Sequence, residues 1–226
     1  MGSKSAYFTP EVFRFLAELR EHNDRDWFAS NKQRYERDVR DPILRFIADI
    51  GPRLQKISPR FVADPRPSGG SLFRIYRDTR FSKDKSPYKT HLGAHFFHES
   101  AKKAPSVPGF YLHVQPGESF LAAGIWHPEP AALARVREAI IARTPEWKAL
   151  TKTKLPIEGG SLKRPPRGFA PDHPDIEHLK RTDFVTSVRL TDKEMCSAGF
   201  PAAFIDHCKT MAPLVKFVTR AMGLAW

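Results

Sequence analysis

Apolar residues recur at three- and four-residue intervals through the first sixty positions and at alternate positions in several runs between 71 and 126, so the chain predicts a helical opening and a strand-rich middle. Thr9-Pro10-Glu11 combines a capping hydroxyl, a proline suited to the first helical turn and an acid at the positive dipole end. Phe13, Leu16 and Leu19 continue from it at helical spacing. Asn23-Asp24-Arg25-Asp26 opens a second helix with Trp27, Phe28 and Tyr35 among its apolar positions, and Pro42 either kinks that helix or restarts it. Ile43, Phe46, Ile47, Ile50 and Leu54 carry the stripe to about Ser58-Pro59. The aromatics of this segment belong on a buried face. Residues 61–70, broken by prolines and glycines, read as a connector.

Residues 71–77, 91–98, 109–115 and 118–126 have strand composition, with Pro116-Gly117 as a tight turn between the last two. Pro128-Glu129-Pro130 begins a helix with Leu133, Val136, Ile140 and Ile141 on one face. Residues 151–182 lack periodicity and read as a long basic excursion, followed by a strand from Phe184 to Leu190. A closing helix, interrupted near Pro213, uses Phe204, Ile205, Cys208, Met211, Leu214, Val215 and Val218. This order predicts an α+β domain over 1–226: a largely antiparallel sheet of about five strands, with N-terminal, middle and C-terminal helices packed on it.

The alternation also assigns faces. A two-residue turn at Pro116-Gly117 sets His113 opposite Phe120 and Leu112 opposite Leu121. Phe110, Leu112, Val114, Leu121, Ala123 and Ile125 then share the core face with Leu92, Ala94 and Phe96. The same logic on 71–77 buries Phe73 and Ile75 and turns Arg74 and Tyr76 outward. The opposite sheet face collects Arg74, Tyr76, His95, Tyr111, His113 and Arg189, with Gly93, Ala122 and Gly124 leaving room, as a ligand floor requires.

Charge sharpens this picture. The net charge is +12, and residues 71–103 hold eight cations against three acids. Arg74, Arg77, Arg80, Lys83, Lys85 and Lys89 are opposed between positions 74 and 89 only by Asp78 and Asp84. Packing does not call for six cations there, whereas an anion would: guanidinium forks bind phosphate or carboxylate oxygens in pairs, and lysines add point charge. Asp78, between Arg77 and Arg80, is placed to hold a guanidinium. A second basic element, Lys163-Arg164-Pro165-Pro166-Arg167-Gly168-Phe169, is expected to fold against the first and bring Arg167 to the cleft. His95 or His113 is the candidate acid/base if the ligand is turned over; no nucleophile is identifiable. The partners implied are an anionic small molecule or, alternatively, nucleic acid, with Tyr76, Phe81 and Tyr88 stacking bases. A third reading is a protein-interaction surface for an acidic partner.

Other chemistry finds little footing. Cys196 and Cys208 stand alone without a Cys-x-x-Cys pair, so neither a disulfide framework nor a cysteine zinc site is expected. His91 and His95 on a strand lie about 13 Å apart at ~3.3 Å per residue, and His95 paired opposite His113 lacks a third ligand, so no metal is assigned. No nucleotide-fold fingerprint appears, and the cofactor is left unassigned. The N-terminus lacks the apolar core of a signal peptide and no apolar run is long enough to span a membrane, which predicts a soluble cytoplasmic protein without membrane partners.

The string Phe73-Arg-Ile-Tyr-Arg-Asp-Thr-Arg-Phe-Ser-Lys-Asp-Lys-Ser-Pro-Tyr-Lys89 resembles the hallmark of the domain-of-unknown-function 2461 family. Phe13-Arg-Phe-Leu16, Asn23–Phe28, Gly124-Ile-Trp-His-Pro128 and Lys163–Phe169 agree with it. The resemblance spans nearly the whole chain and implies one family-length domain. The family has no established activity, so it implies no catalytic residue.

Overall fold

The computed structural model describes residues 6–102, 106–153 and 155–226; Lys103, counted above in the basic segment, and residues 1–5 lie outside them. Helix α1 spans Pro10–Glu21, with its proline at the first turn as the sequence suggests. Asp24 caps α2 (Arg25–Ser30) by accepting from the Trp27 N–H at 2.8 Å. Helix α3 (Lys32–Tyr35) runs through one π-helical turn, Glu36–Arg40, into α4 (Asp41–Leu54). Pro42 sits in the first turn of α4, where a missing N–H is tolerated, and the wide turn just upstream leaves room for its ring.

The sheet is a meander of antiparallel neighbours in the order β1-β2-β3-β4-β5, so the fold is α+β. Its strands are β1 (Phe61–Val62), β2 (Leu92–His98), β3 (Gly109–Val114), β4 (Phe120–Ile125) and β5 (Phe184–Arg189). Helices α5 (Pro130–Ala142), α6 (Thr144–Thr151) and α7 (Ile176–Leu179) come between β4 and β5 in sequence. Helices α8 (Asp192–Met195) and α9 (Phe200–Ala221) follow β5. Helix α9 continues through Pro213, because Pro213 and the Lys209 turn it would have bonded are both on the exposed side, where water can take the freed carbonyl.

The register places Leu112 opposite Leu121 and His113 opposite Phe120, with Glu118 N–H donating to the Gln115 carbonyl across the Pro116-Gly117 turn. Gly117, at φ 70°, supplies the left-handed turn position that Cβ-bearing residues avoid. The inner face carries Phe96, Phe110, Leu112, Leu121 and Ala123, packed against α1, α4 and the first half of α9. A second cluster joins Ile125 and Phe184 to α5, α6 and the last turns of α9.

Two expectations change. Residues 71–77 are not a strand. Phe73 N–H bonds the Gly93 carbonyl and Leu72 bridges Ala94, but the chain then leaves the sheet and pairs with itself, Arg77 N–H to Pro87 and Lys89 N–H to Ile75. Leu72, lying beside Ala94, takes the core position, and the alternation turns Phe73 out to 45% exposure. Second, the connector contains β1, which extends the sheet by pairing Phe61 with His98.

Candidate functional site

The irregular hairpin 75–89 is anchored at its base by side chains the sequence marked as core. Ile75 and Tyr88 are buried, and Phe28 stacks on Tyr88 with ring centroids 4.1 Å apart. Asn23, just after α1, acts as a surrogate strand residue: its amide donates to the Tyr88 carbonyl and accepts from the Tyr88 N–H, both at 3.0 Å. The tip of the hairpin is then free to face solvent.

Much of the charge at that tip is already matched. Arg80 grips Asp78 with two hydrogen bonds of 3.0 and 2.7 Å, so Asp78 does hold a guanidinium. Arg77 pairs with Asp84, and Lys85 donates to the Thr79 carbonyl. The Ser86 hydroxyl and N–H, together with Arg77, hold the Asp84 carboxyl well below the usual carboxylate range. Arg74, Lys83 and Lys89 form no ion pair among the described residues, although Arg74 is near enough to act on Asp78.

Between the hairpin base and the end of α1 lies a cleft of about 450 Å³. Arg20 and Asn23 form one wall; Arg77, Asp84, Ser86 and Tyr88 form the other, and Lys89, Thr90 and His91 complete it. Arg20 likewise lacks an acidic partner among the described residues. Partial burial, and then the neighbouring Arg74, push the Lys89 ammonium pKa down. A cation kept next to another cation and away from carboxylates is a place where an added negative charge gains energy.

From the cleft a column of rings runs across the outer sheet face. His91 lies 4.4 Å from His113, whose other side stacks on Phe120 at 4.6 Å. Gln115 donates its amide N–H to Glu118, so its carbonyl accepts from His113 Nε2 at 2.9 Å. His113 Nδ1 is left to accept from the Tyr111 hydroxyl at 3.1 Å. Burial takes His95 down to about 4; burial, with His113 and Lys89 adding to it, does the same for His91. Burial also lowers His113 and lifts Tyr111 to about 12. At neutral pH these four groups are uncharged: three neutral imidazoles and a phenol, able to donate and accept hydrogen bonds.

His95 and His113 share this face but are not cross-strand partners. The register pairs His95 with Tyr111 and His113 with Gly93. Gly93 lets these rings lie close to the strand: a Cβ would lie 2.6 Å from the Tyr111 hydroxyl and 3.0 Å from the Phe73 ring, so both would have to shift. Arg189 sits opposite Phe120 at the far rim, exposed. Tyr76 is 51% exposed and packs on Tyr88 rather than on the face. Of the residues expected at one site, Arg77 and Lys89 line the cleft. His95, Tyr111, His113 and Arg189 lie on the sheet face, while Arg74, Arg80, Lys83 and Lys85 stay outside the cleft lining. Arg167 does not join them: its segment follows a bridge from Glu158 to Val185 at the β5 edge, and Phe169 packs on the second cluster, across the sheet from the hairpin.

Tyr88, expected to stack on bases, is sealed at 5% exposure beneath Phe28. Among the described residues no group of three or more His, Cys, Asp or Glu is placed to hold a metal ion. Arg20 and Asn23 escaped the sequence reading because each looks like an ordinary polar helix-end residue. His91 was missed as well, although its alternation with Gly93 and His95 is the signal that places it on this face. Away from the cleft, buried Asp183 ties three segments together, accepting from the N–H groups of His127 and Gly160 and from the Thr182 hydroxyl, and His127 adopts φ 47° to reach it.

Residues 11–217 match the model of a family described as conserved hypothetical protein (DUF2461). No curated protein matches the chain, and no solved structure does.

Proposed function

The chain belongs to the DUF2461 family, and we propose that it binds a phosphorylated or similarly anionic small molecule in the cleft between α1 and the hairpin. The observation that carries this reading is the pairing of Arg20 with Lys89 on one cleft, both without acidic partners among the described residues. Arg77 adds a guanidinium whose partner Asp84 is solvent-exposed, so an incoming anion can share it. Thr90 and Ser86 supply hydroxyls at the cleft wall. The neutral histidines beside the cleft serve as hydrogen-bonding groups in this scheme. His113, engaged at both nitrogens, is the better oriented of the two acid/base candidates. Two free cysteines fit a reducing, cytoplasmic setting.

Isothermal titration with inorganic phosphate and pyrophosphate tests the proposal. Binding that weakens at least tenfold in Arg20→Ala and Lys89→Met supports it; no heat of binding at low salt removes it. A nucleic-acid module is the second reading, favoured by Phe81, which is 95% exposed with Arg80 over its ring at 5.8 Å. It loses Tyr88 as a stacking residue, and salt-dependent retention of single-stranded oligonucleotides is its test.

A further inference from the structure

We infer that the ligand of the cleft is a nucleoside phosphate unit, with its phosphate on Arg20 and Lys89 and its flat base against Phe73 on the outer sheet face. This rests on the anion-binding reading and adds the chemistry of the remainder of the ligand. Lys89 joins the two halves. It lines the cleft, and its Nζ stands 5.6 Å from the centroid of the Phe73 ring. That spacing lets a phosphate on the ammonium carry a ring attached through one sugar onto Phe73.

Phe73 is the aromatic ring nearest the cleft's ammonium. It is a large apolar side chain left 45% exposed beside Lys89. Its ring lies 6.0 Å from Tyr111 and 6.3 Å from His95, so it borders an aromatic floor. Gly93 keeps that floor low enough for Phe73 and Tyr111 to lie side by side. A bare phosphate or a sugar phosphate leaves this ring surface in water. A base covers it, and every base has a π-face that stacks on an aromatic ring. The floor presents hydrogen-bonding groups rather than carboxylates: among His95, Tyr111, His113 and Gln115 none carries negative charge to repel the ligand.

The experiment compares adenosine monophosphate, ribose phosphate and inorganic phosphate by isothermal titration at low salt, on the wild type, Phe73→Leu and Phe73→Trp. Stacking on an aromatic side chain predicts that adenosine monophosphate binds roughly five- to 150-fold more tightly than ribose phosphate. Phe73→Leu should bring it down to the ribose phosphate level without changing ribose phosphate itself, and Phe73→Trp should keep the advantage. Equal affinity for the two phosphates in the wild type overturns the inference, as does an advantage that survives Phe73→Leu. Failure of all three probes to bind removes the anion-binding reading beneath it, so the two failures are distinguishable. A single-stranded oligoadenylate arm separates the sources of the same unit. Affinity complete in the mononucleotide assigns a free nucleotide; affinity that grows with strand length and falls steeply with salt assigns a strand.

Discussion

Lys89→Met isolates the ammonium. Methionine keeps an unbranched stem near Phe73 and removes the charge that partial burial, and then Arg74, already disfavour. One hydrogen bond to a charged group contributes about 1.5–3 kcal/mol, so the variant should bind pyrophosphate roughly 10- to 150-fold more weakly. At pyrophosphate a hundred times the wild-type Kd, ligand stabilises the folded wild type by about 2.7 kcal/mol. For 226 residues at about 2.1 cal/mol/K per residue, the entropy of unfolding is about 0.5 kcal/mol/K, so that stabilisation reads as about 6 °C in Tm. The same concentration should move the variant by only about 1–3 °C. Without ligand the variant should melt within about 2 °C of wild type, since an exposed cation–π contact is worth about 0.5–1 kcal/mol and repulsion from Arg74 opposes it. Differential scanning fluorimetry with and without pyrophosphate measures both. An undiminished ligand shift in the variant refutes the assignment. A large loss of melting temperature in the free variant would show instead that Lys89 is structural.

Three further outcomes are expected. His95 resists protonation in the folded state until about pH 4 but titrates near 6.5 when unfolded, so its contribution is whole above pH 6.5 and is lost as pH falls to about 4. At 1.36 kcal/mol per pH unit the loss approaches ~3 kcal/mol, and urea titrations across that window should find it blunted in His95→Gln. Asn23→Asp keeps an acceptor for the Tyr88 N–H but removes the donor to its carbonyl; a cost of about 1–3 kcal/mol is expected. Hydrogen exchange should quicken at Tyr88 and Lys89 in that variant, and unchanged protection would contradict the latch. Asp183→Ala strands three donors at a buried position, for a loss of about 3 kcal/mol or more by chemical denaturation; a loss below about 1 kcal/mol would dismiss the staple.

The sheet was legible because alternation and one tight turn specify register: Leu112 opposite Leu121 follows from Pro116-Gly117 alone. The entry to the hairpin was not, since the alternation of residues 71–77 imitates a strand and only the buried Leu72 shows that the chain enters the sheet one residue out of step. The cleft was half legible. The cations of the hairpin are contiguous in sequence, but Arg20 comes from a helix end some seventy residues upstream, and no local pattern links the two. Nor does sequence tell which cations are free: Arg80 and Asp78 are two apart and neutralise each other. The position of Arg167 across the sheet depends on where a long excursion docks, which is set by Phe169 finding the second cluster.

Helix α9 gives Phe200, Phe204 and Met211 to one apolar cluster and Phe217 and Val218 to the other. Neither half can melt while the other keeps its share of that rod, so heating should produce one calorimetric transition. A molecule seated at the hairpin would then slow protease attack on α5 and α6, at the opposite end of the sheet, without touching them.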